Sequence, residues 1–134
     1  VARGSGRLVG IASVAGIRGL PGHGAYCASK AAVIAYCESL RNELRQSGIA
    51  VVTLLPGYVH TALTRNNPYP MPFLMTPQEF AMRAYRVIER NARYAIIPWQ
   101  MGIVGRVMRL FPAFVWDRMV AGRKGKPRHL GTPE

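Results

Sequence analysis

Two short, almost unbroken apolar runs bound what this chain can become. Arg7-Leu8-Val9-Gly10-Ile11-Ala12 and Ile49-Ala50-Val51-Val52-Thr53-Leu54-Leu55 lack the alternation of a half-solvated strand. Continuous apolar strands of this length belong to parallel sheets covered on both faces. Between them lies a helical stretch, expected from about Ala25 to Ser47 with Gly48 as its stop. Strand, crossover helix and strand in this order make a βαβ unit, and so an α/β fold. A third strand is expected at Tyr94-Ala95-Ile96-Ile97, closed by Pro98. Before it, Thr76-Pro77-Gln78-Glu79 reads as a capping box with proline at the first helical position. That helix, running to about Asn91, would bury Phe80, Ala84, Val87 and Ile88 and leave Arg83, Arg86 and Arg90 in water.

The crossover helix carries the chemistry. Tyr26 and Lys30 stand at i and i+4, so both side chains stack on one helix face. A phenol alone is a poor acid–base group at neutral pH, with a reference pKa of about 10. A neighbouring ammonium favours the phenolate and so suits a tyrosine to proton transfer. Ser13 falls at the carboxyl end of the first strand, where open α/β sheets bind ligands. Its hydroxyl can hold a carbonyl or alcohol oxygen against the phenol, while another agent moves the hydride. The glycine-rich loop Gly16 to Gly24 must carry the chain from strand to helix, and His23 in it reads as a solvated loop residue. Gly4-Ser5-Gly6 precedes a strand, so it is a turn and not a dinucleotide fingerprint. The alanines 25, 28, 31, 32 and 35 offer a face for close packing on a sheet or partner helix, and Arg41, Glu43 and Arg45 a solvated end.

Charge raises other readings. Eighteen Lys and Arg against six Asp and Glu leave a formal charge of +12, unusual for a small-molecule enzyme. Nucleic acid is not expected as a partner: the basic run Arg123 to Arg128 is short, and no stacking motif or reading helix accompanies it. Cys27 and Cys37 lie ten residues apart on one helix, too far to bridge, and no Cys/His spacing suggests a metal. A cytoplasmic setting follows as the expectation, with no transmembrane run.

Ser13, Tyr26-Cys27-Ala28-Ser29-Lys30 and Pro56-Gly57-Tyr58-Val59-His60-Thr61, in this order and spacing, resemble the short-chain dehydrogenase/reductase family. The resemblance runs from about Gly6 to about Ile97 and implies the C-terminal part of a Rossmann-like, doubly wound parallel sheet of about three strands. It implies an oxidoreductase with NAD or NADP, reducing a small carbonyl or oxidising an alcohol. Tyr26 would be the acid or base, Lys30 would support it and bind the nicotinamide ribose, and Ser13 would hold the substrate oxygen. Pro56, Gly57, Val59 and Thr61 would lie beside the cofactor with Tyr26 and Lys30, although Thr61 also reads as a plain turn or cap residue. The segment after that motif would cover the substrate, with Leu63, Tyr69 and Phe73, and also Met71 and Met75, as apolar walls. The helix would join subunits of a homo-oligomer.

The family's pyrophosphate-binding turn and its cofactor-selecting residue have no match in the sequence. The expectation is therefore a catalytic half, inactive alone, with residues 1–98 a partial Rossmann-like domain. Residues 99–121 would form an amphipathic helical extension, and 122–134 a basic, disordered tail. Ile103, Val104, Val107, Met108 and Phe111 align on one helical face opposite Arg106 and Arg109, and Pro112 breaks the helix. Phe114, Val115, Trp116, Met119 and Val120 continue the apolar theme. An alternative function follows: a non-enzymatic remnant binding an anionic membrane surface or a protein through residues 101–128. The plainer reading packs this segment on the domain.

Overall fold

The computed structural model describes residues 2–62, 64–65, 67 and 70–122. Strand β1 spans Gly6–Ile11, a 3-10 turn follows at Val14–Gly16, helix α1 spans Gly24–Glu43 and strand β2 Ile49–Pro56. Helix α2 then covers Pro77–Glu89, strand β3 Tyr94–Ile97, helix α3 Trp99–Leu110 and helix α4 Ala113–Val120. The three strands form one parallel sheet in the order β1-β2-β3. Gly6 pairs with Ile49 and Ile11 with Leu54 on one side of β2, and Thr53 pairs with Tyr94 and Pro56 with Ile97 on the other.

Strand β2 is the middle strand, and its apolar run reflects this. Val51 through Leu55 are buried on both faces. Val52 and Leu54 meet Met75, Ala84 and Ile97 in a core closed by Phe80, Val87, Ile88 and Ala95. Val52, Leu54, Met75 and Ile97 each contribute about 1.5–3 kcal/mol by leaving water. The expected face of α2 is the one that packs here, and Arg83, Arg86 and Arg90 stay exposed. The capping box forms as read: the Thr76 hydroxyl accepts from Glu79 N at 3.2 Å, and a Glu79 carboxylate oxygen accepts from Thr76 N at 2.9 Å. Strand β1 is different. Leu8, Val9 and Ile11 are largely exposed along an apolar edge.

Helix α1 departs from expectation at its end and at Arg41. It ends at Glu43 with Leu44 as its cap, so Gly48 does not stop it. Gly48 instead holds a left-handed φ of 73° at the entry to β2, against the carbonyl of Gly4. The alanine face is exposed; the sheet side is a stripe of Cys27, Lys30, Ile34, Cys37 and Arg41 at helical spacing. Gly10 has no side chain, and a Cβ there would collide with Cys37 Sγ, so α1 closes directly onto β1. Arg41 is not solvated. Its Nε donates to Val51 O at 3.2 Å, and its Nη2 to Thr53 Oγ1 at 2.8 Å and Arg93 O at 2.6 Å. Thr53 is fully buried, so its hydroxyl needs that partner.

Candidate active site

Parallel pairing puts the exits of β1 and β2 at the same end of the sheet. Ala12 N donates to Leu54 O at 2.8 Å, extending the ladder one residue past β1. Ser13 comes next, buried, as the cap of the 3-10 turn, and its Oγ accepts from Ala15 N at 3.2 Å. That bond uses a lone pair and leaves the hydroxyl proton to donate.

Tyr26 sits in the first turn of α1 and is 40% exposed, open to a ligand. Lys30 lies on the sheet side of the same helix. Its Nζ donates to Ile11 O at 3.2 Å and stands 5.7 Å from the centre of the Tyr26 ring. The ammonium thus bridges the end of β1, two residues before Ser13, and the tyrosine face. Gly16 brings the two pieces together. A Cβ on it would fall 2.7 Å from the Lys30 carbonyl carbon and 2.9 Å from Ala31 N, both backbone atoms. The 3-10 turn that carries Ser13 therefore lies directly on the helix turn that carries Lys30. The sequence shows this glycine only as part of a flexible loop; its role as a contact surface needs the three-dimensional arrangement.

The Pro56–Thr61 segment leaves the same sheet end. Gly57 N donates to Ile97 O at 2.7 Å, and a Cβ on Gly57 would stand 3.0 Å from Met101 Cγ. Val59 forms a parallel bridge with Met75. Thr61 is held in a turn: its N donates to Thr64 Oγ1 at 2.8 Å, and Thr64 Oγ1 donates to Val59 O at 2.7 Å. The turn reading of Thr61 therefore has a geometric basis. Leu63 and Tyr69 lie outside the described residues. Phe73 is half exposed with a left-handed φ of 57°, whereas Met75 is buried in the core and cannot wall a substrate site.

The apolar stripe of α3 is largely turned to solvent rather than packed on the domain. On α3 the buried residues are Met101, Gly102 and Gly105; Ile103, Val104, Val107 and Leu110 are exposed. Glycines let α3 approach β3 and the loop after Ser13 closely, so the large apolar residues are turned outward. Trp116 and Val120 are buried on α4, while Phe114 and Met119 are exposed. Trp116 Nε1 donates to Gly19 O at 3.0 Å, so this part of the extension packs on the loop. The basic run Arg123 to Arg128 lies outside the described residues. No described helix is long and apolar enough to cross a membrane. Among the described residues, no group of three or more His, Cys, Asp or Glu is placed to hold a metal.

A parallel sheet with helices on both faces, and with Ser13, Tyr26 and Lys30 toward the carboxyl end of its strands, is the α/β arrangement of a Rossmann-like sheet. The chain belongs to the short-chain dehydrogenase family, whose model matches residues 1–70. An uncharacterized oxidoreductase of Myxococcus xanthus is 41% identical over 117 residues, covering 87% of this chain and 46% of that protein. A short-chain dehydrogenase of Sphingobium yanoikuyae, solved with NADPH, has a TM-score of 0.65 at 27% identity, covering 99% of this chain and 50% of that one. A short-chain dehydrogenase of Burkholderia cenocepacia, solved with NADP, shares the fold with a TM-score of 0.73 at 22% identity, covering 87% of this chain and 48% of that one. The chain spans about half the length of the relatives it matches.

Proposed function

We propose that this chain carries the proton-transfer half of a nicotinamide-dependent oxidoreductase acting on a small carbonyl or alcohol. The observation that carries this is the Lys30 ammonium set between the end of β1 and the ring of the exposed Tyr26. An oxygen held in front of Tyr26 would receive the phenolic proton in reduction or give up its own in oxidation. Ser13, whose Oγ accepts from Ala15 N, would donate a hydrogen bond to the same oxygen and keep its proton. The Lys30 ammonium, 5.7 Å from the ring centre, would place a positive charge beside Tyr26 as the proton moves.

The residues fit a nicotinamide nucleotide at its ribose end. Lys30 and the Tyr26 hydroxyl are hydrogen-bonding groups suited to ribose hydroxyls, and Pro56–Thr61 leaves the sheet at the same end. When bound, the reduced nicotinamide would supply the hydride. Relatives of known structure were solved with NADP, NADPH or NADH, which supports NAD or NADP here without choosing between them. An alcohol dehydrogenase of Comamonas testosteroni described as specific for bulky-bulky ketones is 27% identical with a TM-score of 0.57. That likeness and the exposed Phe73 favour an apolar ketone as substrate. The test is oxidation of NADH and NADPH by the protein expressed from its complete reading frame, with a panel of small and bulky ketones. Cofactor-dependent reduction of any of them supports the reading; no reduction and no oxidation of the matching alcohols rejects it.

A further inference from the structure

The segment between Ser13 and Tyr26 rests on α1 at Gly16, and beyond that turn its own sequence does little to fix its position. It holds Gly16, Gly19, Gly22 and Gly24, and glycine gives up the most conformational freedom on ordering. Its backbone bonds are local, Ile17 N to Val14 O and His23 N to Leu20 O. The long-range anchoring comes from the opposite end of the chain. Arg18 Nη1 donates to Met108 O at 3.0 Å and to Phe111 O at 2.8 Å. These carbonyls close α3, where the last turn lacks intrahelical donors and the helix dipole is negative. The Arg18 guanidinium also lies 5.2 Å over the Trp116 ring. Trp116 Nε1 in turn donates to Gly19 O at 3.0 Å. Ile17 fits against Gly105, where a Cβ would fall 2.5 Å from Ile17 Cδ1. Three consecutive loop residues are thus each gripped by a different part of α3 and α4.

We propose that α3 and α4 act as a clamp on the Ile17–Gly19 segment, and that Arg18 and Trp116 are positioning residues setting how bulky substrates enter between Ser13 and Tyr26. This rests on the oxidoreductase reading. The loop joins the two proposed catalytic side chains, so its placement bears on how far apart they are held. The clamp holds the loop through the Arg18 guanidinium, on carbonyls 90 and 93 positions away, and through the buried Trp116 ring, 97 positions from Gly19.

The experiment uses the protein expressed from its complete reading frame, as R18A, R18K and W116F. Amide hydrogen exchange is read over residues 17–23 and, as a fold control, over β2. Steady-state kinetics are read with one small and one bulky ketone. In R18A and W116F, exchange over 17–23 is expected to rise roughly tenfold while β2 is unchanged. The KM for the bulky ketone is expected to rise about tenfold with kcat nearly constant, and the small ketone to change little. R18K, which can still donate to one carbonyl, should recover part of the loss. Unchanged exchange over 17–23 in both variants overturns the clamp. Faster exchange with equal kinetic effects on both ketones overturns the specificity role and leaves a purely structural contact. A Tyr26→Phe control decides the oxidoreductase reading separately, and the exchange arm decides the clamp whether or not turnover is found.

Discussion

Replacing Gly16 by alanine should damage catalysis out of proportion to its size. The added Cβ would lie 2.7 Å from the Lys30 carbonyl carbon and 2.9 Å from its oxygen, where ordinary contact begins at 3.4 Å. Both neighbours are helix backbone and cannot swing aside, so the 3-10 turn must retreat by about 0.7 Å. That turn carries Ser13, while the obstructing helix turn carries Lys30. The strain costs about 1–3 kcal/mol of stability, as for other overpacked sites. A misplacement near 1 Å between catalytic groups costs about 10²-fold in rate. The assay is kcat/KM for ketone reduction by the complete-frame protein, below the unfolding temperature of the variant. A loss of roughly 30- to 100-fold is expected, with kcat carrying most of it. Gly16→Ala with kcat/KM within threefold of the parent would refute the proposed juxtaposition of Ser13 and Lys30.

Two further predictions concern stability. Arg41→Met should lose about 3 kcal/mol in urea denaturation, because bonds from a charged donor contribute about 1.5–3 kcal/mol and Thr53 is left buried with an unpartnered hydroxyl; a loss under about 1 kcal/mol would show that the guanidinium is not holding β2 to β3. The Thr76 backbone N–H, and then its hydroxyl, hold the Glu79 carboxyl below its ordinary 4.5. A depressed folded-state value means stabilisation that is present above the ordinary value and lost as pH falls through the folded one. Glu79→Gln should therefore flatten the acid side of the Tm–pH profile, and an unchanged or steeper acid limb would contradict the assignment.

Much of this fold is legible in sequence because its signals are local and consistent. The unbroken apolar run of β2 reports burial on both faces, and Thr76–Glu79 forms the capping box its spacing describes. Tyr26 and Lys30 share a helix face for reasons of helix geometry alone. What escapes the sequence is the choice between packing surfaces. Helix α1 offers an alanine face and a face of Cys27, Ile34 and Cys37, and the sheet takes the second, with Lys30 and Arg41 sending their cations to backbone carbonyls at either end. An arginine among charged neighbours reads as solvated until the carbonyls it reaches are known. On α3 the periodic apolar residues mark a stripe, yet the closest packing goes to Gly102 and Gly105, which periodicity counts as blanks. Met75 looks like a pocket wall because prolines and aromatics surround it in sequence, but its bridge to Val59 draws it into the core. The grip of α3 and α4 on Ile17–Gly19 joins residues about 90 positions apart, beyond the reach of any local pattern.

In the proposed reaction Tyr26 moves the proton. This role is tested most directly by Tyr26→Phe in the complete-frame protein, with turnover and cofactor affinity measured side by side. The phenylalanine keeps the ring beside Lys30 and removes only the hydroxyl. A fall in kcat of about 10²- to 10⁴-fold is expected, the usual worth of a positioned acid–base group, with nucleotide Kd changed no more than a few-fold. Turnover equal to that of the parent protein would contradict it.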